Sequence, residues 1–495
     1  MAQSPMMRQY NSMRRKYPGT IVFFRLGDFY EMFDDDAKLV SGLLGLTLTA
    51  RDSGDGQRAP MCGVPYHSAA SYIQRLVDKG YKVAICEQMS DPAMSRGLVE
   101  REVVRIVTPG TVIAADDGDV RSSRYILCLV VYKKKVGAAY ADVSTGEFNA
   151  FELSDISQLS DALAVVNAAE VIASAETLAA VKLYSPMEDL TVTDYDNAEP
   201  ILSAATKALS AVFNEEDADS GAQAVAQTPL ACRASAGLIN YIMETQRAGM
   251  THITRIKLVD FSLEMAIDRT ARRNLELVES LAGERGNSLL SVLDRTVTSS
   301  GARTLRAWIQ HPLRDLRRIN ARHDAVEYLC NNTDALSEIQ GMLKGSADLA
   351  RLLSKLSYRT LTPRDCLALH RTLDKAAQLK RTLDALAKPP LLLKQLAERI
   401  DPLSDLISLI ERMISQEAPQ TIGEGGIILA GYNEELDELR SVGNDGLVWM
   451  EKLEAKEREQ TGIRNLKVIY NRVFGYMFEV SKSNANRVPN RFIRK

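Results

Sequence analysis

The feature that most constrains the fold of this chain is a change in its secondary-structure pattern near residue 230. Upstream of it, short β-rich runs alternate with helical patterns, whereas long helical patterns dominate downstream to about residue 415. A chain of 495 residues is also too long for one ordinary domain. The sequence therefore predicts a multidomain protein that combines α/β domains with an all-α domain.

Composition shifts along the chain predict the boundaries of these domains. Residues 113–122 are polar and acidic and read as a linker, and after residue 433 a charge-dense helix precedes two β-rich runs. We predict a small mixed α/β domain over 1–112, the linker over 113–122, a second α/β domain over 123–229, a helical core over 230–425, a helix-plus-sheet domain over 426–490 and the start of a further helix over 491–495.

The overall composition excludes several classes of protein. The formal net charge is −3, so any contact with nucleic acid must use local basic patches. The six cysteines are scattered without a CxxC pair, which indicates neither a zinc site nor a disulfide framework. The sequence has no secretory h-region and no run of 18 apolar residues, so we expect no membrane span and a cytoplasmic location.

A short motif near the N-terminus places an aromatic ring close to a carboxylate. Residues 27–33 read GDFYEMF, with Phe29 and Glu31 separated by one position. A flat apolar ring can wedge between base steps, and a carboxylate can accept a hydrogen bond from a displaced base. Further along, residues 59–66 read as a loop interrupted by Pro60, Gly63 and Pro65, after which Ser68 is predicted to cap a helix.

The last 33 residues carry a local positive charge. Between residues 463 and 495 there are eight basic residues and one acid, Glu479, with Tyr, Phe and Asn interleaved. In a chain that is slightly acidic elsewhere, this pattern is typical of phosphate contacts, although a solvated protein face is an equally open interpretation.

Longer strings, in order along the chain, resemble the MutS family of DNA mismatch-recognition proteins. The resemblance runs from end to end and covers the family's N-terminal part. It rests on the following strings: GDFYEMF at 27–33, VEREVVRIVTPGT at 99–111, RRNLEL at 272–277, GARTLRAWI at 301–309, GYNEELD at 431–437 and GYMFEVSKSN at 475–484. The resemblance implies a mismatch-reading domain, a ribonuclease H-like connector, a long-helix core or lever, and a clamp, with residues 491–495 starting the helix that returns from the clamp.

The resemblance also implies roles for individual residues. Phe29 is expected to enter duplex DNA from the minor groove and stack on a mispaired or unpaired base while the duplex kinks, and Glu31 to bond to that base. Seven residues are expected to line the groove: Arg51, Arg58, Met61, Pro65, Tyr66, His67 and Ser68. Four clamp cations are expected to contact phosphates: Lys467, Arg472, Lys482 and Arg487. The implied role is the initiation of DNA mismatch repair in a nucleoid-associated protein.

One departure from the family is large. The full-length family carries a C-terminal ATPase domain that uses ATP and magnesium, but no P-loop pattern GxxxxGK(S/T) occurs in this sequence. We therefore expect a fragment or a truncated product, with no cofactor and no catalysis assigned to these 495 residues. The homodimer and the downstream partner of the MutL type also belong to the full-length family.

Three other interpretations remain open at the level of sequence. Cys62 and His67 share one predicted loop and would suit a nucleophile and base. Asp142, with Glu147 and Glu152 nearby, suggests a two-metal nuclease on a ribonuclease H-like hairpin. The helices of residues 230–415 would also suit a plain interaction scaffold.

Overall fold

The chain folds as a mixed α/β protein with many helices and three sheets within its described residues. The computed structural model describes residues 4–54, 57–89, 99–112, 121–184, 190–214, 217–247, 249–282, 286–471, 475–481, 484, 486, 488–489 and 491–492. The chain divides into two compact units, residues 1–404 and 405–495, and each is described by itself.

The first sheet lies near the N-terminus. Its strands are β1 (Thr20–Leu26), β2 (Phe29–Phe33), β3 (Thr49–Gly54), β4 (Gln57–Pro65), β5 (Lys82–Gln88) and β6 (Arg101–Val107). They are arranged in the order β3-β4-β2-β1-β5-β6, with β1 parallel to β5 and antiparallel to β2. The helices around this sheet are α1 (Pro5–Lys16), α2 (Asp34–Leu44) and α3 (Ala69–Val77).

Each face of the first sheet buries its own core, because side chains alternate between the faces along a strand. Phe23, Tyr30 and Met32 belong to the core that also contains side chains of α2 and α3. Phe24 and Phe33 belong to the opposite core, which α1 covers. The central strands β1 and β2 are therefore fixed between two helical layers.

The expected loop at residues 59–66 is wrong, because most of this segment is strand β4. Cys62 and Val64 are buried in the core on one face, and the strand pairs with β2 on one side and β3 on the other. Tertiary packing here outweighs the local turn preference of Pro60 and Gly63.

The expected helix cap at Ser68 is also corrected. A short 3₁₀ turn, Tyr66–Ser68, precedes α3, and the Ser68 hydroxyl donates to the Pro65 carbonyl instead of capping the helix. The local bond to Pro65 competes successfully with the capping bond, as serine hydroxyls commonly allow.

The second sheet follows along the chain. Its strands are β7 (Ile126–Tyr132), β8 (Lys135–Asp142), β9 (Glu147–Leu153), β10 (Glu170–Ala173), β11 (Thr191–Asp194) and β12 (Lys257–Leu258). Their order is β11-β10-β7-β8-β9-β12, in which β7, β8 and β9 form an antiparallel meander and β10 runs parallel to β7 and β11. The associated helices are α4 (Leu159–Val166), α5 (Ala175–Lys182), α6 (Leu202–Val212), α7 (Ala222–Ala226) and α8 (Pro229–Gln246).

Helix α8 belongs to the second sheet and not to the helical core that was expected to begin at residue 230. Its residues Leu230, Ala234 and Leu238 contribute to the core on one face of this sheet, and β12 pairs with β9. The buried side chains of α8 pack against β7, β8 and β9, so its apolar residues complete the core of this sheet. Most of the expected linker at 113–122 lies outside the described residues.

A series of helices follows in the first unit. They are α9 (Arg269–Asn274), α10 (Leu289–Leu293), α11 (Ser299–Gln310), α12 (Leu316–Asn331), α13 (Thr333–Leu343), α14 (Leu349–Ser357), α15 (Pro363–Asp384) and α16 (Leu391–Glu398). The predicted helical character of this part of the chain is confirmed.

The second unit contains helices and a hairpin. Its elements are α17 (Ser404–Met413), whose first residue is the last of the first unit, α18 (Glu434–Thr461), β13 (Lys467–Asn471) and β14 (Gly475–Glu479). The Asn433 side chain caps α18 by accepting a bond from the Leu436 amide at 2.8 Å. The hairpin is tied to this helix, because the Val468 amide donates to Glu454 at 2.7 Å. The predicted charge-dense helix and the two strands after it are confirmed.

Close packing between α8 and the second sheet yields a test of the fold. A Cβ added to Gly137 of β8 would lie 2.2 Å from the backbone carbonyl carbon of Leu230. We expect Gly137→Ala to lower the free energy of unfolding by about 2–3 kcal/mol, because the helix must move away. Urea unfolding measures this change. Gly42→Ala in α2 is the matched control, since a Cβ there meets nothing within 4 Å and should stabilise by about 1 kcal/mol. Equal effects of the two substitutions would contradict the described packing.

Candidate nucleic-acid interface

The predicted pair Phe29 and Glu31 lies on one face of strand β2. Alternation along the strand buries Tyr30 and Met32 on the opposite face, in the core beside α2 and α3. Phe29 is the first residue of the strand and its ring is 46% exposed. This large aromatic side chain is exposed to solvent although Tyr30, Met32 and Phe33 of the same strand are buried.

Glu31 is not free to face solvent, because it forms an ion pair with Arg51. The Arg51 guanidinium lies 2.5 Å from the Glu31 carboxylate, and the two side chains are 43% and 13% exposed. Gly63 stands opposite Glu31 in β4, and a Cβ at that position would lie 3.5 Å from the Glu31 Cγ. The sequence suggested Arg51 as a groove residue but did not indicate this pairing, which depends on the register of β3 and β4.

A second exposed ring lies next to the motif. The Tyr66 ring is 48% exposed, and the Arg25 guanidinium stacks over it at 3.8 Å from the centroid. The Tyr66 amide donates to the Asp28 carbonyl at 2.9 Å, which joins it to the turn before Phe29. Arg25 was not identified from the sequence, because its partner follows 41 residues later.

Arg101 fixes the end of β1 at which this motif lies. It is buried, it donates to the Arg25 carbonyl at 2.8 Å and to Gln9 at 3.1 Å, and it packs 5.0 Å from the centroid of Phe24. Burial, and to a lesser extent the charge of Arg51, lowers the pKa of the Arg101 guanidinium from its usual value. This residue was also missed by sequence reasoning.

The remaining expected groove residues lie at different distances from Phe29, some in β4 and some in the short turn after it. Pro65 pairs with Phe29 at the end of the strand, and Ser68 bonds back to Pro65. His67 is exposed and lies edge-on to Tyr66 at 5.7 Å. Met61 pairs with Phe33, four positions from Phe29, and Arg58 is exposed opposite Asp52, still further along the strand. The structure thus brings Pro65 and Tyr66 next to Phe29, and Arg51 next to Glu31.

The expected phosphate contacts lie in the second unit. Lys467 is exposed on β13, opposite Glu479 of β14. Two tyrosine rings of this hairpin, Tyr470 and Tyr476, are exposed and have centroids 5.0 Å apart. The other three predicted cations lie outside the described residues: Arg472, Lys482 and Arg487.

Three family models match consecutive parts of the chain. Residues 4–116 match MutS domain I, residues 124–254 match MutS domain II and residues 270–481 match MutS domain III. The chain belongs to the MutS family. The motif of Phe29 and Glu31 falls within MutS domain I, and Lys467 falls within MutS domain III.

Curated relatives support this assignment. The chain is 42% identical over 496 residues to the DNA mismatch repair protein MutS of Halothermothrix orenii, which covers 99% of this chain and 55% of the relative. It is 39% identical over 502 residues to the MutS of Caldicellulosiruptor saccharolyticus, covering 99% and 56%, respectively. It is 40% identical over 500 residues to that of Lachnoclostridium phytofermentans, covering 100% and 53%. The chain spans about half the length of these relatives.

The structure does not support Cys62 and His67 as a catalytic pair in this MutS chain. The Cys62 thiol is buried in the sheet core and donates to the Ala37 carbonyl at 3.5 Å, whereas His67 is exposed. Burial raises the pKa of the Cys62 thiol to about 11, which disfavours the nucleophilic thiolate.

The carboxylates of the proposed nuclease site are engaged in structural hydrogen bonds. Asp142 is buried and accepts bonds from the Ser144 hydroxyl at 2.7 Å and from the Arg124 amide at 3.2 Å. Glu147 accepts from Tyr125 at 2.8 Å, and Glu152 accepts from the Leu230 amide. No group of three or more His, Cys, Asp or Glu in the described part of the chain is placed to hold a metal ion.

None of the helices within the described ranges is long and apolar enough to span a membrane.

Thiol accessibility tests the position of Cys62. Cys330 is exposed and Cys366 is half-buried, whereas Cys62, Cys86, Cys128 and Cys232 are buried. We expect a chromogenic disulfide reagent at pH 8 to label Cys330 at once, Cys366 more slowly and the other four only after unfolding, because buried thiols stay protonated and covered. Mass spectrometry of the labelled peptides identifies each site. Fast labelling of Cys62 that is slowed by His67→Ala would restore the catalytic interpretation.

Proposed function

We propose that this chain recognises mispaired or unpaired bases in duplex DNA and so initiates DNA mismatch repair. Phe29 inserts from the minor groove and stacks on the faulty base while the duplex kinks. The observation that carries this proposal is the half-exposed Phe29 ring, which stands beside a carboxylate on a strand fixed between two cores. The name that these relatives carry, DNA mismatch repair protein MutS, agrees with it.

Selectivity follows from the energy needed to open a base step. Unstacking one step costs about a few kcal/mol, and stacking a base on an aromatic ring returns roughly 1–3 kcal/mol. At a sound Watson–Crick step these contributions leave little or no gain. At a mismatch, lost pairing and weaker stacking lower the cost of bending, so insertion of Phe29 becomes favourable. A protein that recognises mismatches in this way responds to how easily the duplex deforms, and it therefore accepts many different mispairs.

The ion pair with Arg51 allows the Glu31 carboxylate to lie close to DNA, which is a polyanion. Without its partner, Glu31 would be repelled by the phosphates of any duplex. With the Arg51 guanidinium 2.5 Å away, the pair is nearly neutral as a unit. When a base is displaced, Glu31 can accept a hydrogen bond from it while Arg51 turns toward a phosphate, so the pair favours damaged over intact duplex.

The second unit supplies contacts that do not depend on sequence. We propose that Lys467 binds the phosphate backbone and that Arg472, Lys482 and Arg487 do the same. The exposed rings of Tyr470 and Tyr476 lie on the same hairpin as Lys467, and aromatic rings interleaved with cations are typical of nucleic-acid surfaces.

The finer domain descriptions are part of the same proposal. The antiparallel meander β7-β8-β9, followed by strands parallel to β7, supports a ribonuclease H-like connector. The small mixed sheet around Phe29 is then the mismatch-reading domain, the helices after residue 269 the lever, and α18 with its hairpin the clamp. The family resemblance alone suggests a homodimer, ATP with magnesium, a MutL-type partner and association with the nucleoid.

Removing the inserted ring tests the proposal most simply. We expect Phe29→Ala to lower affinity for a duplex with a one-base bulge about tenfold or more, because the base–ring stack is lost. Binding to matched duplex should persist and remain sensitive to salt. Fluorescence anisotropy at two salt concentrations measures both. Tyr132→Ala removes an exposed ring from the second sheet, 57% exposed against 46% for Phe29, and is the control, since it should change neither affinity. Parent protein that binds both duplexes equally would refute the function.

Charge and hydrogen bonding at Glu31 can be separated by two substitutions. Glu31→Ala should raise affinity for matched duplex, because Arg51 then faces the phosphates unpaired, and it should lower discrimination. Glu31→Gln should raise matched affinity similarly but retain part of the discrimination, because the amide still bonds to a base. Each should steepen the dependence of log affinity on log salt by about one unit. Glu176→Gln, on exposed residue 176 of α5, is the charge control. Unchanged binding of both duplexes by Glu31→Ala would disprove this role.

A further inference from the structure

A buried carboxylate joins the first sheet to the second. Glu170, the first residue of β10, is completely buried. It accepts a hydrogen bond from the Thr108 hydroxyl at 2.5 Å and from the Gly110 amide at 3.3 Å. Thr108 and Gly110 belong to the turn that leaves β6, so a side chain of the second sheet holds the exit of the first.

A lysine from the first sheet neutralises this carboxylate. Lys82, the first residue of β5, lies 3.2 Å from the Glu170 carboxylate and donates to the Thr193 hydroxyl at 2.6 Å. The hydroxyls of Thr193 and Tyr241 also donate to Glu170, at 2.7 Å and 2.6 Å. Burial, and next the charge of Glu170, raises the pKa of Tyr241 well above its usual value, so this hydroxyl stays a neutral donor.

The turn after β6 packs tightly against β7, and Arg105 holds it by a further hydrogen bond. A Cβ at Gly110 would lie 2.3 Å from the Ile126 side chain, so glycine lets the turn press on β7. Arg105 donates to the Thr111 carbonyl at 3.0 Å and to Gln246 of α8 at 2.9 Å. The joint between the two sheets is thus a satisfied polar network around a tight backbone contact, which is rigid compared with a surface ion pair.

This joint and the Phe29 motif lie at opposite ends of one strand. Thr20 of β1 pairs with Lys82, and Phe24 of β1 pairs with Glu31. Four residues of extended strand separate the two positions, a distance of about 13 Å. A force on the end of β1 near Phe29 is therefore transmitted along the paired strands to Lys82 and Glu170.

We propose that Glu170 and Lys82 are a positioning pair for mismatch recognition, an inference that rests on the proposed function. The pair fixes the reading sheet against the second sheet, so that the duplex bends when Phe29 inserts and the protein does not. Discrimination depends on the DNA yielding, because only the DNA differs between sound and faulty sites. A loose joint would let the reading sheet tilt away, and sound and faulty duplexes would then be bound more alike.

A matched pair of isosteric substitutions tests this proposal in the 495-residue chain. Thr108→Val removes the hydroxyl that crosses the joint to Glu170. Thr177→Val is the control, because the Thr177 hydroxyl is also buried, donates to a glutamate, Glu199, at 2.5 Å and accepts a bond from a backbone amide, but lies away from the joint. Both variants should lose similar stability in urea.

The readouts separate a positioning role from a structural one. We expect Thr108→Val to lower the ratio of matched to bulged dissociation constants roughly three- to tenfold and to reduce the bend reported by energy transfer between the duplex ends. Thr177→Val should keep the parent's ratio and bend. Tyr241→Phe, which removes another donor to Glu170, should resemble Thr108→Val.

Each outcome is decisive. A parent ratio retained by Thr108→Val and Tyr241→Phe overturns the positioning role and leaves the proposed function intact. A ratio lowered equally by Thr177→Val shows a general effect of stability and also overturns it. Parent protein that fails to discriminate between the duplexes refutes the proposed function instead.

Discussion

Strand β2 holds the Phe29 ring outside the protein core, and the proposed recognition of DNA depends on this constraint. The strand is paired with β1 on one side and β4 on the other, and its next residues pack into two separate cores. Because side chains alternate between the two faces of a sheet, the ring cannot move to the other face unless the pairing of β2 breaks. In the proposed function, the energy gained by stacking is therefore available for deforming the duplex and is not spent on ordering the ring.

The chain as a whole is slightly acidic, with a formal net charge of −3, so any attraction to DNA must come from local groups of basic residues. Arg51 compensates the carboxylate of Glu31, and the basic segment at residues 463–495 lies far along the chain from this motif. In the proposed function, nonspecific attraction to DNA and recognition of the faulty base are therefore carried by different residues. This division lets a protein bind any duplex weakly and still respond to one faulty step.

Elements with local signals were predictable from the sequence. Strand β5 has an apolar run of its own, and α18 has a capping asparagine and a charge-dense helical pattern. Strand β4 was not predictable, because its prolines and glycine indicate a turn while its strand partners lie elsewhere in the chain. Within the site, Phe29 and Glu31 were predicted, but the pairing of Glu31 with Arg51 and the network of Glu170 depend on registers and contacts between distant segments.

The most direct measurement places the Phe29 side chain on the DNA. A photoreactive benzoyl-phenylalanine at position 29 can be cross-linked to a duplex with one unpaired base, and the modified nucleotides mapped by sequencing. We expect cross-links at the unpaired base and its immediate neighbours, and few on the matched duplex at equal occupancy. Cross-links spread evenly along both duplexes, or none at the unpaired base, would contradict this expectation.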